Sequence, residues 1–313
     1  MRGATLRQLR TFAAVARQGT FVRAADELHL TPPAVSMQIK ELEDEVGLPL
    51  FDRGARAVTL TMTGEYLLVY VRRVLATLKE ADDAMARLRG AQVGRVNIGM
   101  VSTATYFLPR VLARFRSEHR GVEMRLAVGN REQLVKQLQD AEVDLAVMGR
   151  PPRELAARAE PFAAHPHAVI AAPVHALAGR AAIPPSDLSS EEFIVREEGS
   201  GTRAAMEQFF HDCHIDPPRI MEMTSNETIK QAVIANMGLA FLSLHTAALE
   251  IETKQLCVLD VAGLPLVRSW HIVHLQSKPL SPAAEALRYF VLEQGEALIA
   301  QQFAAVAPVL API

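Results

Sequence analysis

Residues 196–203 read REEGSGTR and run into the helix-like stretch AAMEQFFHDC. Glycines let a backbone approach a ligand closely, and the free N–H groups at a helix start point at whatever is negative. With Arg203 beside them, Ser200, Gly201 and Thr202 are suited to holding an anion. A plainer role fits the same residues, in which Ser200 or Thr202 only caps the helix after a flexible turn. Glu197 and Glu198 are expected to pair with Arg203 in the empty state or to face solvent. Other patterns fall short of chemistry. Ser200 stands in GSG rather than in a G-x-S-x-G elbow, and no His and acid are fixed by spacing as its partners, so no catalytic residue is assigned. His211, Cys213 and His214 form HDCH, but a zinc site needs three or four converging ligands and no second pair is offered. No metal site is expected, and Cys213 reads as a small buried hydrophobe. Asp144, just before LAVMG, is expected to tune the start of a strand rather than to catalyse.

The anion stretch belongs to a half of the chain in which strand and helix alternate. RVNIGMV, TYFLPRVLARFRSEH, VEMRLAV, NREQLVKQLQDAE and VDLAVMG form one set. After Arg150, Pro151 and Pro152 come AVIAAP, FIVRE, the GSGTR helix, RIMEMT, NETIKQAVIANMG and LAFLSL. SWHIVHL and PAAEALRYFVLEQGEALIA are a strand and helix that return to the first sheet. Short apolar runs between amphipathic helices predict parallel sheets with helices on their faces. Two crossings, near 149–161 and 262–268, make a hinged, two-lobed clamshell, each lobe doubly wound, in the manner of periplasmic binding proteins. Ligands lie at strand C-terminal ends in such folds, which puts the cleft beside VSTATY, MGRPP and EEGSGTR.

The first ninety residues are of another kind. Leu6, Leu9, Phe12, Ala13 and Ala16 repeat at helical spacing and stop at Gly19, and Thr20 is placed to cap a second short helix, FVRAADELHL. A third helix, AVSMQIKELEDEVG, follows Thr31, with Pro33 in its first turn and residue 32 extended before it. PLFDRGARAVTLT then reads as a small hairpin around Gly54. Three short helices and a hairpin make a winged helix-turn-helix, an all-α N-terminal domain apart from its wing. From Met62 to Arg89 the residues Leu68, Val71, Leu75, Leu78 and Met85 form a stripe that asks for a partner helix, with Asp82 as an imperfection in the seam. These 28 residues would span about 42 Å as a spacer. Packing on the helix's own domain is the alternative.

Composition agrees with two or three domains in 313 residues, half of them apolar. Net charge is −2, with 13 Lys+Arg against 11 Asp+Glu up to Gly90 and 20 against 24 beyond it. Cys213 and Cys257 alone exclude a disulfide framework and suit a reducing cytoplasm. MRGATLRQLRTFAAVARQG lacks the unbroken apolar core of a signal peptide, and no apolar run approaches the ~20 residues of a membrane span. A cytoplasmic protein without membrane association is expected. The boundaries read 1–61 for the winged helix-turn-helix, 62–90 for the linker and dimerisation helix, 91–161 with 267–300 for lobe 1, 162–266 for lobe 2, and 301–313 for a loose tail.

The stretch LRQLRTFAAVARQGTFVRAADELHLTPPAVSMQIKELEDEVGLPLFDR resembles the N-terminal domain of LysR-type transcriptional regulators, and the order of the whole chain is similar to that family. VSTATYFLPRVLARF, VGNRE, DLAVMGRPP, REEGSGTRAA, SNETIKQAV and GLPLVRSWHIVH resemble its CbbR group, which controls Calvin-cycle carbon-fixation operons. The resemblance covers roughly residues 5–295. One departure is Pro32, where the family commonly carries Gln or another polar residue at the start of the recognition helix. The resemblance implies a dimer through the linker helices, assembled further into a tetramer, with RNA polymerase as a candidate additional partner. It implies no cofactor, but an effector in the cleft, a phosphorylated metabolite or a nicotinamide nucleotide.

For such a protein Thr31, Pro32, Pro33, Ser36, Met37 and Lys40 lie at or near the side of the third helix that meets double-stranded DNA. Apolar Pro and Met touch thymine methyls, whereas Lys40, Arg53 and Arg56 suit phosphates, Arg56 from the hairpin tip. In the cleft, Ser102, Thr103, Arg150, Ser200, Gly201, Thr202, Arg203 and Asn226 are available to oxygens. The expected function is a regulator whose operator binding responds to a phosphorylated metabolite. A helix-turn-helix fused to a small-molecule enzyme or binding protein is the alternative.

Overall fold

The computed structural model describes residues 3–53, 58–88 and 94–304. Arg56 and the tail from residue 305 lie outside the described residues, as do the side chains of Arg53, Asp82 and Met85. Two compact units divide the chain, Met1–Ala84 and Met85–Ile313.

In the first unit, α1 (Leu6–Gln18) starts at Thr5, whose side chain accepts from the Gln8 N–H while the Gln8 side chain accepts from the Thr5 N–H, and it ends at Gly19 with φ 66°. Thr20 caps α2 (Phe21–Leu28) as expected. The third helix, α3 (Pro32–Val46), starts one residue earlier than its spacing suggests: Thr31 is the extended cap residue (φ −88°, ψ 148°) and both prolines sit in the first turn, where a missing N–H costs nothing. Strands β1 (Phe51–Arg53) and β2 (Val58–Leu60) pair antiparallel as the wing. A carboxylate oxygen of Glu43 accepts from the Leu50 N–H (2.8 Å) and ties the end of α3 to the wing. Phe12, Val15, Val35, Ile39, Leu42 and Phe51 form the core, with the rings of Phe12 and Phe51 5.3 Å apart.

The long helix α4 (Met62–Leu88) corrects the expected seam. Leu68 and Val71 are buried in the core of this unit together with Leu67, and Leu75 packs against it. Three short helices and a two-stranded wing leave one core face open, and the apolar stripe of α4 closes it. Among the described side chains of α4, the large apolar ones left exposed are Met62, Tyr66, Val69, Tyr70 and Val74, with the rings of Tyr66 and Tyr70 tilted against each other at 5.5 Å.

The second unit carries β3 (Gly94–Val101), α5 (Leu108–Glu118), β4 (Val122–Gly129), α6 (Arg131–Gln139) and β5 (Leu145–Met148), then β6 (Ala157–Ala171) and β7 (Phe193–Arg196). It continues through α7 (Gly201–Asp212), β8 (Arg219–Met223), α8 (Asn226–Ile234), β9 (Ala240–Ser243), α9 (Leu244–Glu252), β10 (Cys257–Val258), β11 (Leu266–Leu275) and α10 (Pro282–Gln302). The order in the main sheet is β10-β6-β11-β5-β3-β4, with β9 also on β6, and β7 pairs with β8. The expected parallel pairs are present between β3 and β4, β3 and β5, and β7 and β8. Between the lobes the chain crosses on two long antiparallel strands, β6 and β11, paired from Leu266↔His167 to Leu275↔Ala157. Phe162, Ala163, Trp270 and Ile272 on these strands join the core of lobe 1, which α10 covers with Leu287, Phe290 and Val291. Val169, Ala171 and Leu266 serve lobe 2. The helix α9, LHTAALEIE, follows β9 directly and was not marked by any apolar periodicity distinct from that strand. Asp144 does set a strand start: its carboxylate accepts from the Asn97 N–H (2.9 Å) and from Lys278 Nζ (3.2 Å). Among the described residues no helix is long and apolar enough to cross a membrane.

Candidate functional site

The β6–β11 ladder is the floor of a cleft that, counted out to the solvent it opens to, holds about 440 Å³ of empty space. Its lining includes Ser102, Thr103, Arg131, Arg150, His165, His167, Arg196, Ser200, Gly201, Thr202 and Arg268. Six of the eight cleft residues expected from sequence are thus brought together: Ser102, Thr103, Arg150, Ser200, Gly201 and Thr202.

The wall formed by α7 is open for an anion. Ser200 is the buried cap residue of this helix, yet its side chain makes no capping hydrogen bond, so the first N–H groups keep their capacity for a ligand. Gly199 holds φ 80°, a left-handed turn that favours glycine. A Cβ on Gly201 would meet no atom within 4 Å, which leaves free space over the helix start.

Arg203 and Asn226 do not line the cavity, and both expectations are corrected. Arg203 donates from Nε to Glu207 (2.7 Å) and from Nη1 to Glu222 (2.7 Å) and to the Arg196 carbonyl (2.9 Å), so two carboxylates occupy its guanidinium. Glu207 lies one helical turn along α7 and draws the side chain outward. Glu197 and Glu198 were expected to pair with Arg203 or to face solvent; Glu198 is exposed, and Glu197 pairs with Arg196, Nε to Oε2 at 2.8 Å and Nη2 to Oε1 at 2.9 Å. Asn226, buried, accepts from Arg196 Nη1 (2.5 Å), and Arg196 Nη2 reaches Ser102 Oγ (3.2 Å) across the lobes. Arg196 therefore clasps Glu197 and Asn226 in lobe 2 and Ser102 in lobe 1 with one rigid fork.

Sequence reasoning passed over Arg196, Arg268, Arg131, His165 and His167. Arg268 donates from Nη1 to the Gly201 carbonyl (3.3 Å), and burial, with Arg150 nearby, lowers its basicity. Arg131 pairs with Glu154 (3.0 Å), and the pairing holds that acid at about 2. His165 is 3% exposed and stacks on Trp270 with centroids 3.7 Å apart. Burial, with His167, His245, Arg268 and His271 around it, pushes its basicity far below the ordinary range, and His167 falls to about 3 for the first of those reasons. A signal was present in the sequence for the two histidines: HPH puts His165 and His167 at alternate positions of one strand, where they share a face.

On α3 the geometry is simpler. Thr31, Pro32, Pro33, Met37 and Lys40 are exposed and Ser36 is half-buried, while Val35, Gln38, Ile39 and Leu42 face the core. Gln38 is held there by a 2.6 Å hydrogen bond from Thr11.

A winged helix-turn-helix with an open recognition-helix face, joined in one chain to a two-lobed α/β unit with a cationic cleft, defines the class of ligand-responsive transcriptional regulators. Residues 6–65 match the model of the bacterial regulatory helix-turn-helix proteins of the lysR family, and residues 89–296 match the LysR substrate binding domain. The transcriptional regulator CfxR of Cupriavidus necator is 47% identical over 98% of this chain and 97% of its own length. CbbR of Rhodospirillum rubrum is 48% identical over 91% of this chain and 95% of its own. Among solved structures, the regulatory domain of Synechocystis CcmR in complex with 2-PG superposes with a TM-score of 0.62 and 38% identity, covering 64% of this chain and 96% of that domain. The chain belongs to the LysR family of DNA-binding transcriptional regulators.

Proposed function

We propose that this regulator controls carbon-fixation genes and that a small phosphorylated acid, of which 2-phosphoglycolate is the working example, alters its grip on operator DNA. The observation that carries the reading is the cleft itself: an open helix start, the hydroxyls of Ser102, Thr103, Ser200 and Thr202, and the guanidinium of Arg268 line one cavity. Support for the ligand comes from the 2-phosphoglycolate complex of the CcmR domain, and for the genes from relatives that include a RuBisCO operon regulator of Allochromatium vinosum. A nicotinamide nucleotide is less suited, since among the described residues no Phe, Tyr or Trp lines the cavity to stack a base. The phosphate sits at Ser200–Thr202 and Ser102–Thr103, and the carboxylate meets Arg268 and Arg150. Thr31, Pro32, Pro33, Ser36 and Met37 read base edges and Lys40 a phosphate, with Arg53 and Arg56 assigned to phosphates from the wing. Self-assembly uses the exposed face Tyr66, Val69, Tyr70 and Val74, not the buried stripe. Gel-shift titration of the full chain against the promoter of its own RuBisCO operon tests the function. Addition of 2-phosphoglycolate is expected to change the affinity or the footprint; an unchanged footprint at saturating ligand, with binding shown separately, would refute the regulatory role of the cleft.

A further inference from the structure

The cationic groups of the cleft are unequally available. Arg196 is matched by Glu197, Arg203 by Glu207 and Glu222, and Arg131 by Glu154. Among the described residues, Arg150 and Arg268 are the lining arginines that no carboxylate pairs. A phosphorylated carboxylic acid brings about three negative charges when its phosphate is doubly ionised, which is its main form above the second phosphate ionisation near ~6. Two free guanidinium groups and the partial charge of a helix start, about half a unit, leave such a ligand under-neutralised in a site largely shielded from water.

One lining group can make up the difference. His165 is 97% buried and faces the cavity, and neither of its ring nitrogens has a hydrogen-bond partner. Its position is fixed on every side. Trp270 of β11 stacks on it at 3.7 Å, and Arg268 stands directly opposite it in the β6–β11 register. His167 on its own strand is 4.1 Å away, and His245 of α9 lies parallel at 6.3 Å. A Cβ on Gly149 would come within 2.6 Å of its Nδ1, so only glycine at the end of β5 leaves room for the ring. The charged and titratable groups that face His165 are His167, His245, Arg268 and His271, with Arg150 beside Arg268, and all are bases. Buried polar groups without a partner are rare and costly, and a ring held in this way next to a ligand cavity is suited to bonding a ligand oxygen.

We propose that His165 binds the phosphorylated acid as an imidazolium, taking a proton from solvent as the ligand enters and donating a charge-assisted hydrogen bond to it. This rests on the reading that the cleft accepts a phosphorylated acid. The proton balance is closed: one proton leaves the buffer, one N–H forms on His165, and the ligand stays fully ionised. In the empty cleft the surrounding bases and burial keep the ring neutral. The bound anion reverses that field, so the site reports on solution pH as well as on metabolite concentration.

The test is calorimetric titration of the full-length protein with 2-phosphoglycolate at pH 7.5 in two buffers of different protonation enthalpy. At this pH the phosphate is almost wholly doubly ionised, so uptake measures the protein. Uptake of about half to one proton per ligand is expected, with the dissociation constant rising up to about tenfold per pH unit between pH 7 and 8.5. His165→Gln, which keeps a hydrogen-bonding group but cannot take the proton, should bind at least ~10-fold more weakly at pH 7 with uptake near zero and a flat pH profile. His211→Gln, at an exposed position of α7 outside the cavity lining, should keep the parent's uptake. Zero uptake by the parent, which needs no variant, overturns the proposal while leaving the phosphorylated-acid reading intact, and so does full uptake by a folded His165→Gln. No binding of 2-phosphoglycolate to the parent overturns that reading and the proposal together.

Discussion

On α3 the groups proposed to meet DNA are exposed apart from the half-buried Ser36 and lie within ten residues of one another, from Thr31 to Lys40, whereas the cleft draws its groups from segments as distant as Ser102 and Arg268 and holds several of them almost out of water. The difference decides how each region fails. Solvated side chains on one helix face act nearly independently, so their losses are small and add. In the cleft every removal strands a neighbour: without Arg196, Glu197 loses its cation, Asn226 its donor and Ser102 its link across the lobes. Breaking a buried ionic network of this kind costs about 3–5 kcal/mol, well above the worth of any single contact in it.

The largest contrast should appear in acid. His167 and His245 are held at about 3 and about 4 by burial, and burial also lowers His165, while the first unit contains one histidine, the exposed His29. For a base lowered in the folded state, the unfolded chain binds the proton first. Stability is therefore complete above the unfolded value near ~6.5 and is lost as pH falls from there to the folded value, at about 1.4 kcal/mol per pH unit for each ring. Two such rings remove on the order of 5 kcal/mol by pH 4.5, which approaches the stability of a typical domain. Trp270, the single tryptophan, stacks on His165 and reports this directly. Its fluorescence should change at a higher pH than the far-ultraviolet helix signal of the whole chain, and His167→Phe should move that midpoint downward. One common midpoint below pH 4 would show that the buried rings do not govern acid stability.

Next in size is the contrast between Arg268 and Arg203, which the sequence alone ranks in the wrong order. Arg203 follows the glycines directly, and only its i,i+4 neighbour Glu207 hints that it is engaged; Glu222 comes from β8. Arg268→Ala should weaken 2-phosphoglycolate binding by about 10- to 100-fold, the worth of a hydrogen bond to a charged group. Arg203→Ala should change it less than about threefold. Calorimetry on the two variants decides, and the reverse ranking would mean that Arg203 turns inward when ligand is bound.

The legible parts were those written locally. The cap at Thr20, the cap position of Ser200, the stops at Gly19 and Gly47, Pro33 in the first turn of α3 and the strand-helix alternation are each set by residues within a turn or two. The cleft residues missed, His165, Arg196 and Arg268, depend on long-range pairing. That Arg268 faces His165 follows from the β6–β11 register, with its shift between Trp270 and His271, and no local pattern encodes it. The α4 stripe shows a third kind of limit. Helical spacing shows that Leu68, Val71 and Leu75 share a face, but it does not say what covers that face.

Assembly tests that point at intermediate size. Tyr70→Glu with Val74→Glu places charges on the exposed face of α4 and should leave the unit folded while shifting sedimentation toward monomer. Loss of helix signal instead of dissociation would mean that this face is part of the fold.

The smallest effect belongs to α3. Lys40 is exposed, and the partner proposed for it is a DNA phosphate, whose counterions would be released on binding. Lys40→Ala should therefore lower the slope of log affinity against log salt by about one unit and weaken binding to all sequences alike, because a phosphate contact carries no base information. Ser36→Ala and Pro33→Ala should leave that slope unchanged and alter the ranking among operator variants, since the start of α3 is the side proposed to meet base edges. Pro32 sharpens the distinction: with no N–H and no polar side chain it has only apolar contact to offer, and Pro32→Gln adds a group able to pair with adenine in the major groove. Its affinity should rise for sites carrying adenine at the facing position and stay the same elsewhere. A uniform change across sites, measured by competition gel shift at fixed salt, would place residue 32 against the backbone and move base reading further along the helix toward Ser36 and Met37.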